Sequence, residues 1–131
     1  MTRDTKRILL VEDDSSMRKL VEVILKKAGY EVISTQDAIE AMQILTKEKI
    51  DCVVADAIMP NISGFDLCRI VRANNLKIPC IILSGLENAQ NDMDQGLFDA
   101  FILKNESMKN SLISKLEDLL DNASSRKQLK S

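Results

Sequence analysis

Polar and charged residues stand at the ends of four short apolar runs in this chain. Glu12, Asp13 and Asp14 follow Ile8 to Val11, and Asp56 follows Cys52 to Ala55. Ser84 follows Cys80 to Leu83, and Lys104 follows Phe101 to Leu103. If the runs are strands of one parallel sheet, these side chains share the rim beyond the strands' carboxyl ends, where ligands bind in open α/β sheets. Carboxylates gathered there repel one another unless a cation sits among them. Oxygen ligands without His or Cys favour magnesium, which keeps several waters and completes its shell with phosphate oxygens. A lysine ammonium and a serine hydroxyl on the far side of Asp56 suit the remaining oxygens of a phosphoryl group. Each residue alone reads equally well as an ordinary loop residue, since Asp and Ser are common at strand ends. Four strand ends in agreement point to phosphoryl chemistry.

Composition narrows the alternatives. The 131 residues contain no His, which removes Ser-His-Asp and Cys-His hydrolases, most zinc enzymes and any phosphohistidine intermediate on this chain. Lys plus Arg number 18 against 20 Asp plus Glu, and no arm or helix face concentrates positive charge, so direct nucleic-acid binding is not expected. No apolar run approaches the roughly 20 residues of a membrane span, and residues 1–6 read as a short arm rather than a signal peptide. Cys52, Cys68 and Cys80 are odd in number and set in apolar segments. They read as buried, reduced thiols of a cytoplasmic protein rather than a redox or zinc set.

The elements that must position the rim follow from two hydrophobic periods. Runs at Ile8 to Val11, Val32 to Ser34, Cys52 to Ala55, Cys80 to Leu83 and Phe101 to Leu103 are near-continuous, as in parallel strands covered on both faces. Between them, Met17, Leu20, Val21, Ile24, Leu25 and Ala28 recur at helical spacing before a stop at Gly29. Ala38, Ala41, Met42 and Leu45 form a second stripe, and Phe65, Leu67, Cys68 and Val71 a third that opens near Gly64. Leu112, Leu116, Leu119 and Leu120 make the last helix, whereas Glu87 to Gln95 carries only Ala89 and Met93 as interior apolar residues for another. Repeated βα units imply an α/β, doubly wound, five-stranded parallel sheet with right-handed crossovers and helices on both faces. Residues 7–120 form this domain, and 121–131 lack an amphipathic pattern and read as a polar tail or linker start.

The stretches Ile8-Leu-Leu-Val-Glu-Asp-Asp14, Asp51-Cys-Val-Val-Ala-Asp56-Ala-Ile-Met59-Pro60 with Gly64 four residues on, Ile78-Pro-Cys-Ile-Ile-Leu-Ser84 and Ala100-Phe-Ile-Leu-Lys104 resemble the response-regulator receiver family. The resemblance implies a flavodoxin-like strand order, 2-1-3-4-5. It makes Asp56 the phosphorylated nucleophile. Glu12, Asp13, Asp56 and the Ile58 backbone carbonyl become the ligands of Mg2+ (or Mn2+), which lowers repulsion between anionic nucleophile and anionic donor. Asp14 falls outside that set and reads as a helix N-cap. Lys104 matches the lysine that contacts the phosphoryl group, Ser84 the switching hydroxyl, and Phe101 the aromatic switch. Phe101 also reads as a plain core aromatic. Without a tyrosine's hydroxyl its outward state exposes apolar area at about 25 cal/mol per Å2, so it should lean inward. Pro60 and Gly64 shape the loop after Asp56.

What the resemblance implies is phosphorelay signalling. A histidine kinase or histidine phosphotransfer protein donates to Asp56, and a conformational change controls a downstream effector. Such a chain is no enzyme beyond its own phosphorylation and dephosphorylation, and touches neither membrane nor nucleic acid directly. The sequence departs from the pattern in three places. Asn105 follows Lys104 where proline is usual, and a non-proline cis bond costs about 3 kcal/mol, so a trans bond is expected. The stretch from Ser84 to Lys104 is short, with Gly96-Leu97-Phe98 where a Gly-Ala ending is usual, and Gly85 replaces an alanine. The departures fall on the face that commonly signals, not on the catalytic rim. Three other readings are a flavodoxin-like cofactor binder, an aspartyl-phosphate hydrolase and a degenerate receiver used only for protein contacts. The first lacks a Ser/Thr/Gly-rich phosphate loop after strand 1, and the second lacks the second carboxylate of an Asp-x-Asp.

Overall fold

A computed structural model describes residues 5–74, 76–86 and 97–130, with side chains as far as residue 120. In chain order it contains β1 (Arg7–Val11), α1 (Ser15–Lys27), β2 (Glu31–Thr35), α2 (Ala38–Lys47), β3 (Cys52–Asp56), α3 (Gly64–Ala73), β4 (Cys80–Ser84), β5 (Ala100–Leu103) and α4 (Met108–Lys130). The strands form one parallel sheet in the order β2-β1-β3-β4-β5. Each is longer by a residue or two than its apolar run, because pairing continues onto polar residues such as Glu31 and Asp56. The expected helix over Glu87 to Gln95 lies outside the described residues. Helical backbone in α4 continues to Lys130, through the residues whose pattern reads as a tail.

Alternation along the strands divides the core in two. Leu9, Val11, Val53, Ala55 and Ile82 face α2 and α3, where Ala41, Phe65, Leu67, Cys68 and Val71 meet them. Ile8, Leu10, Cys52, Val54, Ile81 and Leu83 face α1 and α4, meeting Val21, Leu25, Leu112 and Leu116. Burial on both faces explains the near-continuous apolar runs, and each fully buried Leu or Ile contributes about 1.5–3 kcal/mol. The cysteines are free and buried, with Cys52 on one face of the sheet and Cys68 and Cys80 on the other. No helix among the described residues is long and apolar enough to cross a membrane.

Helix starts are fixed where the chain leaves the rim. Asp14 caps α1, its Oδ2 accepting the Met17 amide at 2.7 Å. Asp37 caps α2 in the same way through the Glu40 amide. Ser63 and Asp66 form a reciprocal capping box at α3. At the far end of α1, Gly29 takes φ +100°, a left-handed conformation that costs glycine little.

Candidate functional site: an acidic rim closed by Lys104

Glu12 and Asp13 leave the end of β1, Asp56 is the last residue of β3, and Lys104 follows β5 directly. One carboxylate oxygen from each of Glu12, Asp13 and Asp56 falls in a group whose members all lie within 4.8 Å of one another. Lys104 Nζ reaches across this group and donates to Asp56 Oδ1 at 2.9 Å and to Glu12 Oε1 at 2.9 Å. The structure thus brings four of the residues singled out in the sequence to one place.

Their environments differ. Asp13 is exposed, whereas Glu12 is 0% exposed and Asp56 8%. Both Glu12 oxygens already have partners, since Oε2 accepts the Asp14 amide at 3.1 Å. Burial pushes the Glu12 carboxyl above its ordinary range, opposed by the Lys104 hydrogen bond and helped by the negative charge of Asp56. For Lys104, burial works against the charged form, but its bonds to Asp56 and Glu12 outweigh it and raise the ammonium's pKa.

Backbone contacts hold the rim in register. The Glu12 amide donates to Thr35 O at 3.0 Å, and the Lys104 amide to Ser84 O at 2.8 Å. Arg18, for which the sequence reading assigns no role, donates from Nη1 to the Glu12 carbonyl at 2.8 Å. Its signal was positional: four residues beyond the N-cap Asp14, it points back over the β1–α1 loop. Gly64 packs so tightly on β3 that an added Cβ would lie 2.3 Å from the Asp56 carbonyl oxygen. Close approach, rather than an unusual backbone angle, requires glycine there. In the loop before it, Asn61 adopts φ 72°.

Asn105 gives the loop after Lys104 an anchorage that proline cannot. Its amide donates to Leu103 O at 2.9 Å, and its Oδ1 accepts the Ser107 amide at 2.9 Å, which leads the chain into α4. The bond is trans, as no cis peptide occurs among the described residues.

Ser84 and Phe101 stand apart from the ion pairs. Ser84 is 1% exposed at the end of β4, and its hydroxyl turns to its own loop, donating to Leu86 O at 3.1 Å and accepting the Leu86 amide at 3.0 Å. Phe101, opposite Ile82 in the sheet, is partly buried and lies inward. Its ring stacks on Phe65 at 6.5 Å between centroids and tilts against Phe98 at 6.2 Å. Nothing local in the sequence joins Phe65 and Phe98 to this position. Ile58, two residues beyond Asp56, is 59% exposed.

The strand order and the charged rim mark an α/β domain of the receiver type. The response regulator receiver domain profile matches residues 8–117, and the chain belongs to that family. It is similar to the probable transcriptional regulator ycf27 of Porphyridium aerugineum, 34% identical over 130 residues, which cover 95% of this chain and 53% of that protein. It also resembles the alkaline phosphatase synthesis transcriptional regulatory protein PhoP of Bacillus subtilis (strain 168), 34% identical over 79 residues, 60% of this chain and 33% of PhoP. The crystal structure of response regulator protein TrrA from Thermotoga maritima, in complex with Mg2+ and BeF, matches at a TM-score of 0.82 and 27% identity. That match covers 88% of this chain and 99% of TrrA. The chain spans about half the length of the first curated relative and a third of the second. It is a receiver module of two-component phosphorelay signalling, and the cofactor-binding reading is set aside.

Proposed function

We propose that Asp56 accepts a phosphoryl group from the phosphohistidine of a histidine kinase or phosphotransfer protein. The observation that carries this is the placement of Asp56 between the Lys104 ammonium at 2.9 Å and the carboxylates of Glu12 and Asp13. An Asp56 carboxylate oxygen bonds to phosphorus as the bond from phosphorus to the donor's ring nitrogen breaks, and the imidazole leaves. Lys104 holds the carboxylate before transfer and offers its charge to a phosphoryl oxygen afterwards. Ser84 offers a hydroxyl to a second phosphoryl oxygen once it leaves Leu86.

Three clustered oxygen donors without nitrogen or sulfur fit magnesium or manganese. Glu12, Asp13, Asp56 and the Ile58 carbonyl would hold the ion, Glu12 on condition that it gives up a present hydrogen-bond partner. Bound there, it supplies positive charge against the anionic donor. The chain transforms no substrate other than its own aspartate, and a downstream effector reads the phosphorylated form. Incubation with magnesium and a small phosphoryl donor, followed by peptide mass spectrometry, tests the proposal. Phosphate should map to Asp56 and be absent from Asp56→Asn; undiminished incorporation in that variant would reject the assignment.

A further inference from the structure

Glu12 is 0% exposed, and its main chain lies where the pairing of β1 with β2 ends. Val11 stands opposite Thr35, and the Glu12 amide donates to Thr35 O at 3.0 Å. In a parallel ladder of that register, the Glu12 carbonyl would next accept the Asp37 amide. The chain has by then turned toward α2, and the Asp37 amide meets Thr35 Oγ1 at 3.4 Å instead. A buried carbonyl left without a donor destabilises the fold. Arg18 Nη1 supplies that donor at 2.8 Å, from the first turn of α1.

The peptide that Arg18 holds joins Glu12 to Asp13, the two acidic residues at the end of β1. Their side chains are oriented by different means. The Glu12 carboxylate has Lys104 Nζ on Oε1 and the Asp14 amide on Oε2. Asp13 is exposed, and among the described residues its carboxylate has no hydrogen-bond or ion-pair partner. One of its oxygens nevertheless lies within 4.8 Å of oxygens of Glu12 and Asp56. That placement depends on the backbone that carries it.

We propose that Arg18 is a positioning residue for the divalent ion: by holding the Glu12–Asp13 peptide, it sets Asp13 for coordination. The proposal rests on the reading of Glu12, Asp13 and Asp56 as the ion's ligands. A guanidinium is rigid and planar, so its bond to the carbonyl fixes direction as well as distance. The loop is pinned at its other end by Asp14, which caps α1 through the Met17 amide. Between these anchors Asp13 has little freedom. Removing a partner that orients a metal ligand weakens affinity by about tenfold or more. The charge of Arg18 acts the other way. A cation beside the rim repels an incoming cation, so its loss would tighten ion binding if charge alone mattered. Positioning and charge therefore predict opposite signs for one substitution.

The test uses the full chain as wild type, Arg18→Ala and Arg18→Lys. Thermal melts without metal first establish a temperature at which each is folded. Mn2+ is titrated at that temperature, and the electron paramagnetic resonance signal of the free ion gives Kd. Arg18→Ala should raise Kd about tenfold. Arg18→Lys, which keeps the charge and one donating group, should recover part of the loss. Without metal, the Glu12 carbonyl-carbon and Asp13 amide-nitrogen resonances should shift in Arg18→Ala, because the peptide between them has lost its donor. An unchanged or lower Kd in folded Arg18→Ala, or unshifted resonances, would overturn the proposal. If Arg18→Ala does not fold, Arg18→Lys decides, since it alters the bond and keeps the charge; an unchanged Kd there would reject the role. Phosphate on Asp56 of the wild type together with an unchanged Kd in Arg18→Ala rejects this role and leaves the phosphoacceptor reading standing. A wild-type Kd in Asp13→Ala rejects the ligand set itself, and this role with it.

Discussion

Lys104 Nζ is shared between Asp56 Oδ1 and Glu12 Oε1, each at 2.9 Å, and so ties the end of β5 to the ends of β3 and β1. The Glu12 side chain is 1% exposed and that of Lys104 15%, so little solvent screens this pair. Lys104→Met should therefore leave a buried carboxylate without its partner and cost about 3 kcal/mol. Adding Glu12→Gln to that variant should recover part of the loss, because one of the two carboxylates left without Lys104, the more buried one, is then uncharged. Urea unfolding of the single and double variants measures the coupling. Additive effects would show that the two residues do not stabilise one another.

Gly64→Ala is expected to damage both fold and chemistry. Its Cβ would lie 2.3 Å from the Asp56 carbonyl oxygen and 3.3 Å from Ile82 Cδ1, so α3 or the end of β3 must move. Overpacking of this kind costs about 1–3 kcal/mol. Because the displaced backbone carries the phosphoacceptor, phosphorylation should slow even where the variant is fully folded. A variant of native stability and unaltered rate would show that the close approach is relieved elsewhere at no cost.

The rim was legible in the sequence because parallel strands covered on both faces announce themselves as apolar runs, and their first polar residue marks the carboxyl end. Asp56, Ser84 and Lys104 were placed by that rule alone. Contacts between elements were not legible. Nothing local to Glu12 shows that both of its oxygens are engaged, one by a residue from the far edge of the sheet. The Phe65, Phe98 and Phe101 cluster likewise depends on a helix and a strand meeting across sequence. Nor did Asn105 reveal that hydrogen bonds replace proline in shaping its loop.

The capping box at α3 gives a dependence on pH. The Ser63 amide holds the Asp66 carboxyl below its ordinary value of 3.8, with Arg69 adding to the effect. A depressed folded-state pKa means stability that is present above the unfolded value and lost as pH falls through the folded one. Asp66→Ala should cost about 1 kcal/mol near neutrality, discounted because the site is largely exposed. The difference from wild type should vanish below the Asp66 pKa. Thermal melts from pH 7 downward compare the two chains; a gap that does not narrow as pH falls below the ordinary carboxylate range would remove the carboxylate from the account.

Magnesium should raise the melting temperature. The carboxylates of Glu12, Asp13 and Asp56 lose mutual repulsion when a cation joins them, and an ion that binds only the folded chain stabilises it by mass action. At about ten times its Kd the ion contributes about 1.4 kcal/mol. Asp13→Ala should erase most of that shift, since Asp13 is exposed and Lys104 engages the other two carboxylates. A shift of full size in Asp13→Ala would place the ion elsewhere.

Phosphorylation should be read first at Leu86. The Ser84 hydroxyl makes two hydrogen bonds with the Leu86 backbone, each contributing about 1 kcal/mol, and it must leave both to reach a phosphoryl oxygen. A hydrogen bond to a charged oxygen is roughly twice as strong as a neutral one, so the exchange is nearly balanced and its direction is set by the phosphoryl group. Such a group shifts the population only by its differential contact with the two loop positions. Phe101 already lies inward against Phe65 and Phe98, contacts that contribute about 0.5–1.5 kcal/mol each, so its ring has little further to travel. With a beryllofluoride-type phosphoryl mimic, the amide resonances of Ser84, Gly85 and Leu86 should move strongly, and those around Phe101 should move less. Ser84→Ala should abolish the Leu86 response while leaving changes at Asp13 and Asp56 in place. If the mimic instead moves only the rim, with Leu86 and Phe101 unchanged, Ser84 does not carry the signal and the receiver communicates through another face.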